Sequence, residues 1–249
     1  MKPLNSFFSD LSLHNTRLFT AFFSLLFSVL AFSTDQLINS DGVLYLNMAK
    51  AYIEGGLAAT ASMYDWPFFS ILIAVIHQFT GLQLELSGQI INSLLFVVFT
   101  DALVLIANKL LSNLRYVFIA SLIILCFSTL NDYRSYIIRD IGYWAFISIS
   151  IYRTIIFLEK PNWQNGIYWQ LSSLLALLFR VEAIVIILAT PLFIVFQLGF
   201  RDGLKSAIKL CSLFLLGGVL AAAVFTQQQG MKSAFGKLLS VREFLDHSS

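Results

Sequence analysis

Charged side chains are scarce in this sequence, because Asp, Glu, Lys and Arg together make up only 12% of its 249 residues. The formal net charge is +2, which is too small to indicate a nucleic-acid partner. Two cysteines and three histidines are present, and the histidines are scattered, so the sequence offers no His/Cys metal constellation. Cys126 and Cys211 both lie in apolar runs and are predicted to be buried free thiols rather than a disulfide.

Apolar residues are abundant instead, at 58% of the chain against roughly 45–50% in soluble domains. A soluble protein of this size leaves too much of its area in contact with water to hide that much apolar surface. In a bilayer the backbone must satisfy its own hydrogen bonds, which leaves helices or a closed barrel. The apolar runs are long and continuous rather than alternating. They predict an all-α fold, a polytopic transmembrane helix bundle.

The apolar runs predict a single membrane domain over residues 1–249 with about eight spans. The predicted spans are 17–33, 66–80, 89–110, 116–131, 141–158, 167–179, 183–199 and 207–225. Several of these runs are shorter than a straight span requires, so some are expected to be partial spans packed inside the bundle. Residues 226–249 are polar and are predicted to be an extramembrane tail that stops abruptly.

The charge pattern predicts the orientation of the first span. Lys2 and Arg17 favour a cytoplasmic N-terminus by the positive-inside rule. Residues 34–65 are acidic and polar, and are predicted to form an external loop. Strict alternation of spans would then place Lys109 and Arg115 outside, against the same rule. Either one apolar segment does not cross the membrane, or the chain is an exception to the rule.

The external loop contains a candidate site. Leu44, Met48 and Tyr52 recur at helical spacing, which predicts an amphipathic helix at the membrane surface. Asp41 falls in its first turn, and Tyr45 follows one turn later on the same side. Asp41 either caps this helix or serves as a carboxylate at the water–lipid boundary, where it would act as a base or hold a metal ion.

Two further charged groups lie at the ends of apolar runs. Arg139 and Asp140 precede a predicted span and are either boundary charges or a pair that holds a phosphate group. Arg180 and Glu182 separate two apolar runs and are either exposed on a tight hairpin or functional. These two residues would not face each other on one helix. Asp101 is a lone acid inside a span, for which an interhelical partner is one explanation, and it is assigned no role.

The order and spacing of these groups resemble the N-terminal module of GT-C type membrane glycosyltransferases, which include the protein mannosyltransferases and the aminoarabinose transferases. A first span is followed by an acidic surface helix, here 41–49. The second apolar run starts with an aromatic, Pro-containing segment, here 64–69. Arg139 and Asp140 precede a later span, and the turn 180–182 joins two more.

The resemblance implies a sugar donor that is linked to polyprenyl phosphate. It implies that Asp41 is the catalytic base or a metal ligand for the attacking acceptor. By position, Asp140 matches a second family acid near the donor phosphate, and Arg139 would contact that phosphate. A divalent cation is the candidate cofactor. The chemistry is consistent, because a polyprenyl phosphate leaving group needs cationic stabilisation of its developing charge.

Supporting residues follow from the same resemblance. Arg180 and Glu182 match a commonly seen Arg-Pro-Glu turn with a structural role, and Tyr45 accompanies the first acid. The chain departs from the family pattern at Val181, which replaces the proline of the turn, and at Pro67, which stands alone where many relatives have two prolines. Family members are usually longer, so this chain is expected to be an N-terminal piece or a reduced homologue.

The function expected from the resemblance is sugar transfer on the external face of a bacterial inner membrane, with the polyprenyl-phosphate sugar and the lipid bilayer as partners. The rival hypothesis is a non-catalytic membrane component, either a lipid-linked-glycan transporter subunit or a scaffold for a partner subunit. A transporter carries polar residues along its spans to line a path. Here the ionisable groups cluster mainly at span ends, which favours a surface-facing site.

Overall fold

The computed structural model describes residues 11–34 and 38–217. Within these ranges the chain is helical and has no strand, which confirms the all-α prediction. Predictions that concern Lys2, the end of the 207–225 run and the tail 226–249 lie outside the described residues.

The helices follow one another with short connections, as expected of continuous apolar runs separated by a few polar residues. They are α1 (Leu13–Thr34), α2 (Ser40–Met63), α3 (Phe68–Thr80), α4 (Leu84–Leu110), α5 (Leu114–Cys126), α6 (Ser128–Asp132), α7 (Asp140–Glu159), α8 (Trp163–Phe179), α9 (Ala183–Leu198) and α10 (Phe200–Leu210). A 3₁₀ turn, Tyr133–Ser135, follows α6, and residues 212–217 are helical again.

Within residues 11–34 and 38–217, three or four helices are candidate membrane spans, as expected of a membrane protein. Helices α1, α4 and α7 are long and apolar enough to cross a bilayer. Helix α5 and the following segment Ser128–Ser135 qualify together, although they are bent by 49°. Helices α3 and α9 are apolar but shorter. The larger number of about eight crossings stays a prediction.

Helices α1 and α4 run in opposite directions. Near the start of α1, Arg17 pairs with Asp101 in the second half of α4, with 2.7 Å between Nε and Oδ1. Near the end of α1, Phe32 lines a groove together with Leu86 from the first turn of α4. The end of the bundle that holds Arg17 is called the inner end below, and the opposite end, which holds Asp41, the outer end. The ion pair supplies the interhelical partner that was one explanation for Asp101.

Helices α7 and α8 repeat this antiparallel arrangement. At the inner end, Lys109 of α4 pairs with Glu159 at the end of α7, with 2.7 Å between Nζ and Oε2. At the outer end, Arg180 directly after α8 pairs with Asp140 at the start of α7. Helix α7 therefore runs from the outer to the inner end, and α8 returns.

Helices α2 and α3 begin and end at the outer end. The Asn39 side chain before α2 accepts a hydrogen bond from Ile137 N, 2.9 Å away, beside the start of α7. Trp66, between α2 and α3, donates to Leu177 O over 3.1 Å, near the end of α8. Helix α4 starts at the same end, so α3 does not connect the two ends.

The placement of α3 bears on the predicted topology. Its 13 residues span only about 20 Å, well below the roughly 30 Å of a bilayer core. Because the predicted second span 66–80 returns to the end where it starts, Lys109 and Arg115 come to lie at the same end as Arg17. The structure thus favours the first of the two alternatives, in which one apolar segment does not cross.

One sequence expectation about exposure is not supported, and another needs correction. Helix α2 forms, with a kink at Gly56 where φ is 71°, but its apolar residues are both buried (Met48) and exposed (Leu57). The amphipathic pattern predicted for the surface helix is therefore not supported. Cys126 is a free thiol but is exposed, because it lies on a face of α5 that also turns Ile123 away from the bundle.

Close packing between α7 and α8 gives a first testable prediction. A Cβ atom added at Gly142 of α7 would overlap the ring of Phe179, which is itself buried. Gly142→Ala is therefore expected to reduce the free energy of unfolding by about 1–3 kcal/mol, measured by denaturation in detergent. Gly217→Ala is the matched control, because a Cβ there meets open space. An equal effect of the two substitutions would contradict the prediction.

Candidate functional site

A cavity of about 380 Å³ lies at the outer end of the bundle. It brings together the two predicted site acids, Asp41 and Asp140. Its lining residues are Asn39, Ser40, Asp41, Tyr133, Tyr136, Ile138, Asp140 and Trp144. The cavity therefore combines two carboxylates with three aromatic side chains, the mixture of a few polar groups and apolar surface that is typical of small-molecule sites.

The cavity is formed where the start of α2 meets the segment before α7. Asn39 binds the backbone of Ile137, and a Cβ added at Gly42 would lie only 3.2 Å from Ile137 Cβ, so the two segments are in close contact. Asp41 and Asp140 both fall in the first turn of their helices. The N-cap position of α2 is Asn39 rather than Ser40 or Asp41, so capping does not account for Asp41.

Tyr45 lies one turn after Asp41 and is 5% exposed, with its ring edge-on to Phe69 at a centroid distance of 5.3 Å. Burial raises the pKa of Tyr45 to about 12, and the charges of Asp41 and Asp140 act in the same direction, whereas Arg139 opposes them. The hydroxyl is thus within electrostatic reach of all three predicted site charges. It stays protonated near neutral pH and is able to donate a hydrogen bond.

The raised pKa of Tyr45 predicts an alkaline loss of stability. The usual tyrosine value is 10.0 and the folded value about 12, so the unfolded chain releases the proton first and stability falls as pH rises from about 10 to 12. Between pH 9 and 11.5 the Tyr45 contribution is expected to fall by about 2 kcal/mol. Tyr45→Phe should remove this component, measured by denaturation at both pH values. An unchanged alkaline slope in the variant would contradict the assignment.

Arg180 contacts the cavity acid and the turn acid together. Its guanidinium donates to Asp140 and to Glu182, where the Nε–Oε2 distance is 3.1 Å. The hydrogen bond from Arg180 holds the pKa of Glu182 well below its usual range. The backbone is extended at Arg180, between α8 and α9, so residues two apart meet here although they would not do so on one helix. Arg180 is therefore the cation that pairs directly with Asp140.

Arg139 lies beside the cavity rather than on its lining. Its Nη2 donates to the Tyr64 hydroxyl over 2.8 Å, and its guanidinium lies over the Tyr64 ring, 5.0 Å from the centroid. Of the predicted residues, the structure thus brings Asp41 and Asp140 onto one surface, with Tyr45 and Arg180 adjacent. The predicted contact of Arg139 with a phosphate stays a prediction.

The aromatic walls were missed by sequence reasoning. The Trp144 ring lies edge-on to Tyr133 at a centroid distance of 5.3 Å and lines the cavity. Tyr133 in turn contacts Tyr136 at 5.6 Å. The density of aromatic residues around Arg139 and Asp140 was the available signal, because aromatic side chains next to charged groups are as typical of ligand sites as of membrane interfaces.

Arg134 is a second residue to which sequence reasoning assigned no role. It is 2% exposed, and its guanidinium donates to Ser24 O (2.7 Å), Ser28 Oγ (2.9 Å) and Asn131 Oδ1 (2.7 Å). The guanidinium also lies 4.5 Å from the centroid of the Phe96 ring. Within residues 11–34 and 38–217 no carboxylate forms a salt bridge with it. Arg134 therefore fixes the cavity-forming segment to α1 through neutral acceptors.

The acids of the cavity set a limit on metal binding. No group of three or more His, Cys, Asp or Glu side chains suitable for a metal ion occurs in the part of the chain that the structure describes. Two carboxylates, Asp41 and Asp140, face one cavity. Mg²⁺ commonly binds through one or two protein carboxylates plus waters and substrate phosphates, so this donor set fits a cation that arrives with a phosphate-bearing substrate.

Comparison of the chain with models of protein families, with curated proteins and with solved structures found no match. The part of the chain that the structure describes defines the class of a helical membrane protein, with three or four candidate spans in that part. An acidic, aromatic cavity opens at one end of its bundle.

Proposed function

We propose that the chain is a membrane glycosyltransferase, or the N-terminal module of one, that transfers a sugar from a polyprenyl-phosphate-linked donor to an acceptor hydroxyl. The observation that carries this proposal is the outer-end cavity, in which Asp41 and Asp140 face a common space with aromatic walls. Carboxylates provide acid–base groups, and aromatic rings provide flat apolar surfaces against which sugar rings pack. A membrane-embedded bundle gives access to a lipid-linked donor.

The proposed step assigns Asp41 as the general base. The acceptor oxygen attacks the anomeric carbon of the donor, and the bond from that carbon to the phosphate oxygen breaks. The electron pair of this bond leaves with the polyprenyl phosphate, and the acceptor proton passes to Asp41. A base placed within hydrogen-bond reach of the reacting hydroxyl typically contributes about 10²–10⁴-fold to the rate. A single displacement of this kind inverts the configuration at the anomeric carbon, whereas retention would require two successive displacements.

The leaving phosphate requires positive charge nearby. Arg180 is the best candidate to supply this charge, because it already pairs with the cavity acid Asp140 and has a planar guanidinium suited to phosphate. Arg139 is the adjacent second cation. Where a divalent cation takes part, Asp41 and Asp140 are the residues that would hold it, and the cation would supply charge neutralisation at the phosphate.

The proposed orientation places the cavity outside the cytoplasm. The inner end carries a surplus of basic residues near helix ends: Arg17, Lys109, Arg115, Lys160, Arg201, Lys205 and Lys209. The positive-inside rule favours the cytoplasmic side for such an end. The outer end then faces the external side, and a bacterial inner membrane is the proposed setting.

The proposal is tested with the full chain reconstituted in liposomes that contain a polyprenyl-phosphate donor with a radiolabelled sugar. An extract that contains candidate acceptors is added outside the liposomes. Covalent transfer of label to acceptor is the expected result. Movement of the labelled donor across the bilayer without transfer would instead support the rival function of a lipid-linked-glycan transporter. If neither transfer nor movement is observed, even after native membrane extract is added as a source of a partner subunit, the glycosyltransferase and the transporter functions are both contradicted.

A further inference from the structure

The short helix α10 has three distinct longitudinal faces. The first is buried against the bundle and consists of small residues and one leucine: Gly203, Ser206, Ala207 and Leu210. Its contact is close, because a Cβ added at Gly203 would lie 2.5 Å from Val195 Cα. A Cβ added at Gly166 of α8 would likewise lie 2.6 Å from Lys209 O. The helix is therefore held against both α8 and α9, and its rotation about its own axis is fixed.

The second face is apolar and exposed. Phe200 is 78% exposed, Leu204 46% and Ile208 47%. These residues are four apart, so they form a single stripe along the helix. The stripe is directly beside the buried face, at 100° per residue. In water such a continuous stripe would be unfavourable, whereas acyl chains would solvate it.

The third face is basic and borders the apolar stripe on its other side. Arg201, Lys205 and Lys209 are also spaced four apart. Arg201 and Lys205 are exposed, and the acid Asp202 approaches Lys205 only to 3.8 Å. Two exposed cations thus stand next to three exposed apolar side chains on a helix whose remaining face is already buried.

The position of α10 places these faces at a membrane boundary. Lys209 donates to Pro161 O over 3.4 Å, in the connection between α7 and α8, which is at the inner end. The last four residues of α10, which include Lys209, overlap the start of the predicted span 207–225. The structure assigns Phe200–Leu210 to this separate helix, so residues 207–210 do not begin a span.

We infer that α10 is an interfacial helix that binds the anionic phospholipids of the inner leaflet. The apolar stripe is expected to enter the acyl-chain boundary while Arg201 and Lys205 contact lipid phosphates, an arrangement found in helices that lie in the membrane plane. A basic residue near an anionic leaflet contributes an attraction that corresponds to about fivefold in affinity. The bound partner is therefore a phospholipid with net negative charge rather than a zwitterionic one. This inference is independent of the proposed sugar transfer.

The test compares lipid binding to the purified full chain in detergent by native mass spectrometry, with phosphatidylglycerol and phosphatidylcholine as probes. The double variant Arg201→Gln/Lys205→Gln is expected to bind phosphatidylglycerol about 25-fold more weakly, and phosphatidylcholine with unchanged affinity. Both side chains are exposed, so neither substitution disturbs the packing of α10.

Lys50→Gln is the matched control, because Lys50 is equally exposed but belongs to α2 at the outer end. Its phosphatidylglycerol affinity should stay within about twofold of the wild type, since removal of an exposed charge at a distance has a small effect. The inference is overturned if the double variant retains wild-type affinity for phosphatidylglycerol. It is equally overturned if the control loses as much affinity as the double variant, or if the wild type binds both lipids alike.

Discussion

Asp41→Asn is expected to reduce sugar transfer by about 10²–10⁴-fold while leaving the protein folded. The amide keeps the size and most of the polarity of the carboxylate but does not accept a proton at neutral pH. Asp41 lines the outer-end cavity together with Asp140, so the loss falls on the reacting hydroxyl rather than on packing. The measurement is the initial rate of label transfer from the polyprenyl-phosphate donor, in the protein as it occurs in its own membrane.

The matched control for Asp41→Asn is Glu54→Gln. Glu54 is on the same helix, but its side chain is 65% exposed and its ion pair with Lys50 is long, at 3.8 Å. Transfer by this variant should equal that of the wild type. Unchanged transfer in Asp41→Asn would remove Asp41 from its assigned role. A parallel loss of folded protein, measured by denaturation midpoint, would instead identify Asp41 as a structural residue.

The helical fold class was predictable from composition, because so few charges and such long apolar runs favour helices that span a membrane. The helical surroundings of Asp41 were likewise predictable from the spacing of Leu44, Met48 and Tyr52. The number of crossings was harder to predict. Hydropathy measures how apolar a segment is, but not whether it connects the two ends of the bundle. Helix α3, an apolar segment of 13 residues, packs between other helices without connecting the two ends.

The arrangement of the helix ends became clear only from contacts between distant residues. The charge pattern left two explanations for Lys109 and Arg115. The pairs Arg17–Asp101 and Lys109–Glu159 decide which helix ends lie together, because each pair fixes two ends at the same level of the bundle. Such pairs join residues of different helices, and no periodicity within one helix encodes them.

The site was predictable only in part, for a similar reason. Asp41 and Asp140 were paired through the resemblance to GT-C type enzymes, and no local pattern links α2 to α7. The structure adds a contact between Arg180 and Asp140. This contact was not predicted, because the turn 180–182 was expected to have only a structural role. Arg139 has the more obvious position next to Asp140 in the sequence, yet its side chain contacts Tyr64. Adjacent residues point in different directions at the start of a helix, so sequence neighbours need not share a site.

Arg134→Ala is expected to lower the free energy of unfolding by about 3 kcal/mol, with a corresponding fall in the detergent denaturation midpoint. The buried side chain leaves a cavity when truncated. Ser24 O, Ser28 Oγ and Asn131 Oδ1 also lose a charged donor, and hydrogen bonds to charged groups contribute about 1.5–3 kcal/mol each. The cost of desolvating the guanidinium in the folded protein offsets part of this stabilisation. The expected loss is therefore smaller than the sum of the three hydrogen-bond contributions. Arg201→Ala, at an exposed position, should change stability by less than about 0.5 kcal/mol.

Arg134→Met separates the hydrogen bonds from the packing. Methionine fills most of the volume over the Phe96 ring but offers no donor, so it should recover less than half of the stability that Arg134→Ala loses. Full recovery would show that packing alone accounts for the burial of Arg134, since replacing a buried ionic group by an apolar one is often neutral. If Arg134→Met recovers less than half of the lost stability, the hydrogen bonds from Arg134 to α1 are what hold the segment that carries Tyr133 and Tyr136. Sugar transfer should then decline in Arg134→Met even at temperatures where the variant stays folded, because both tyrosines line the cavity around Asp41.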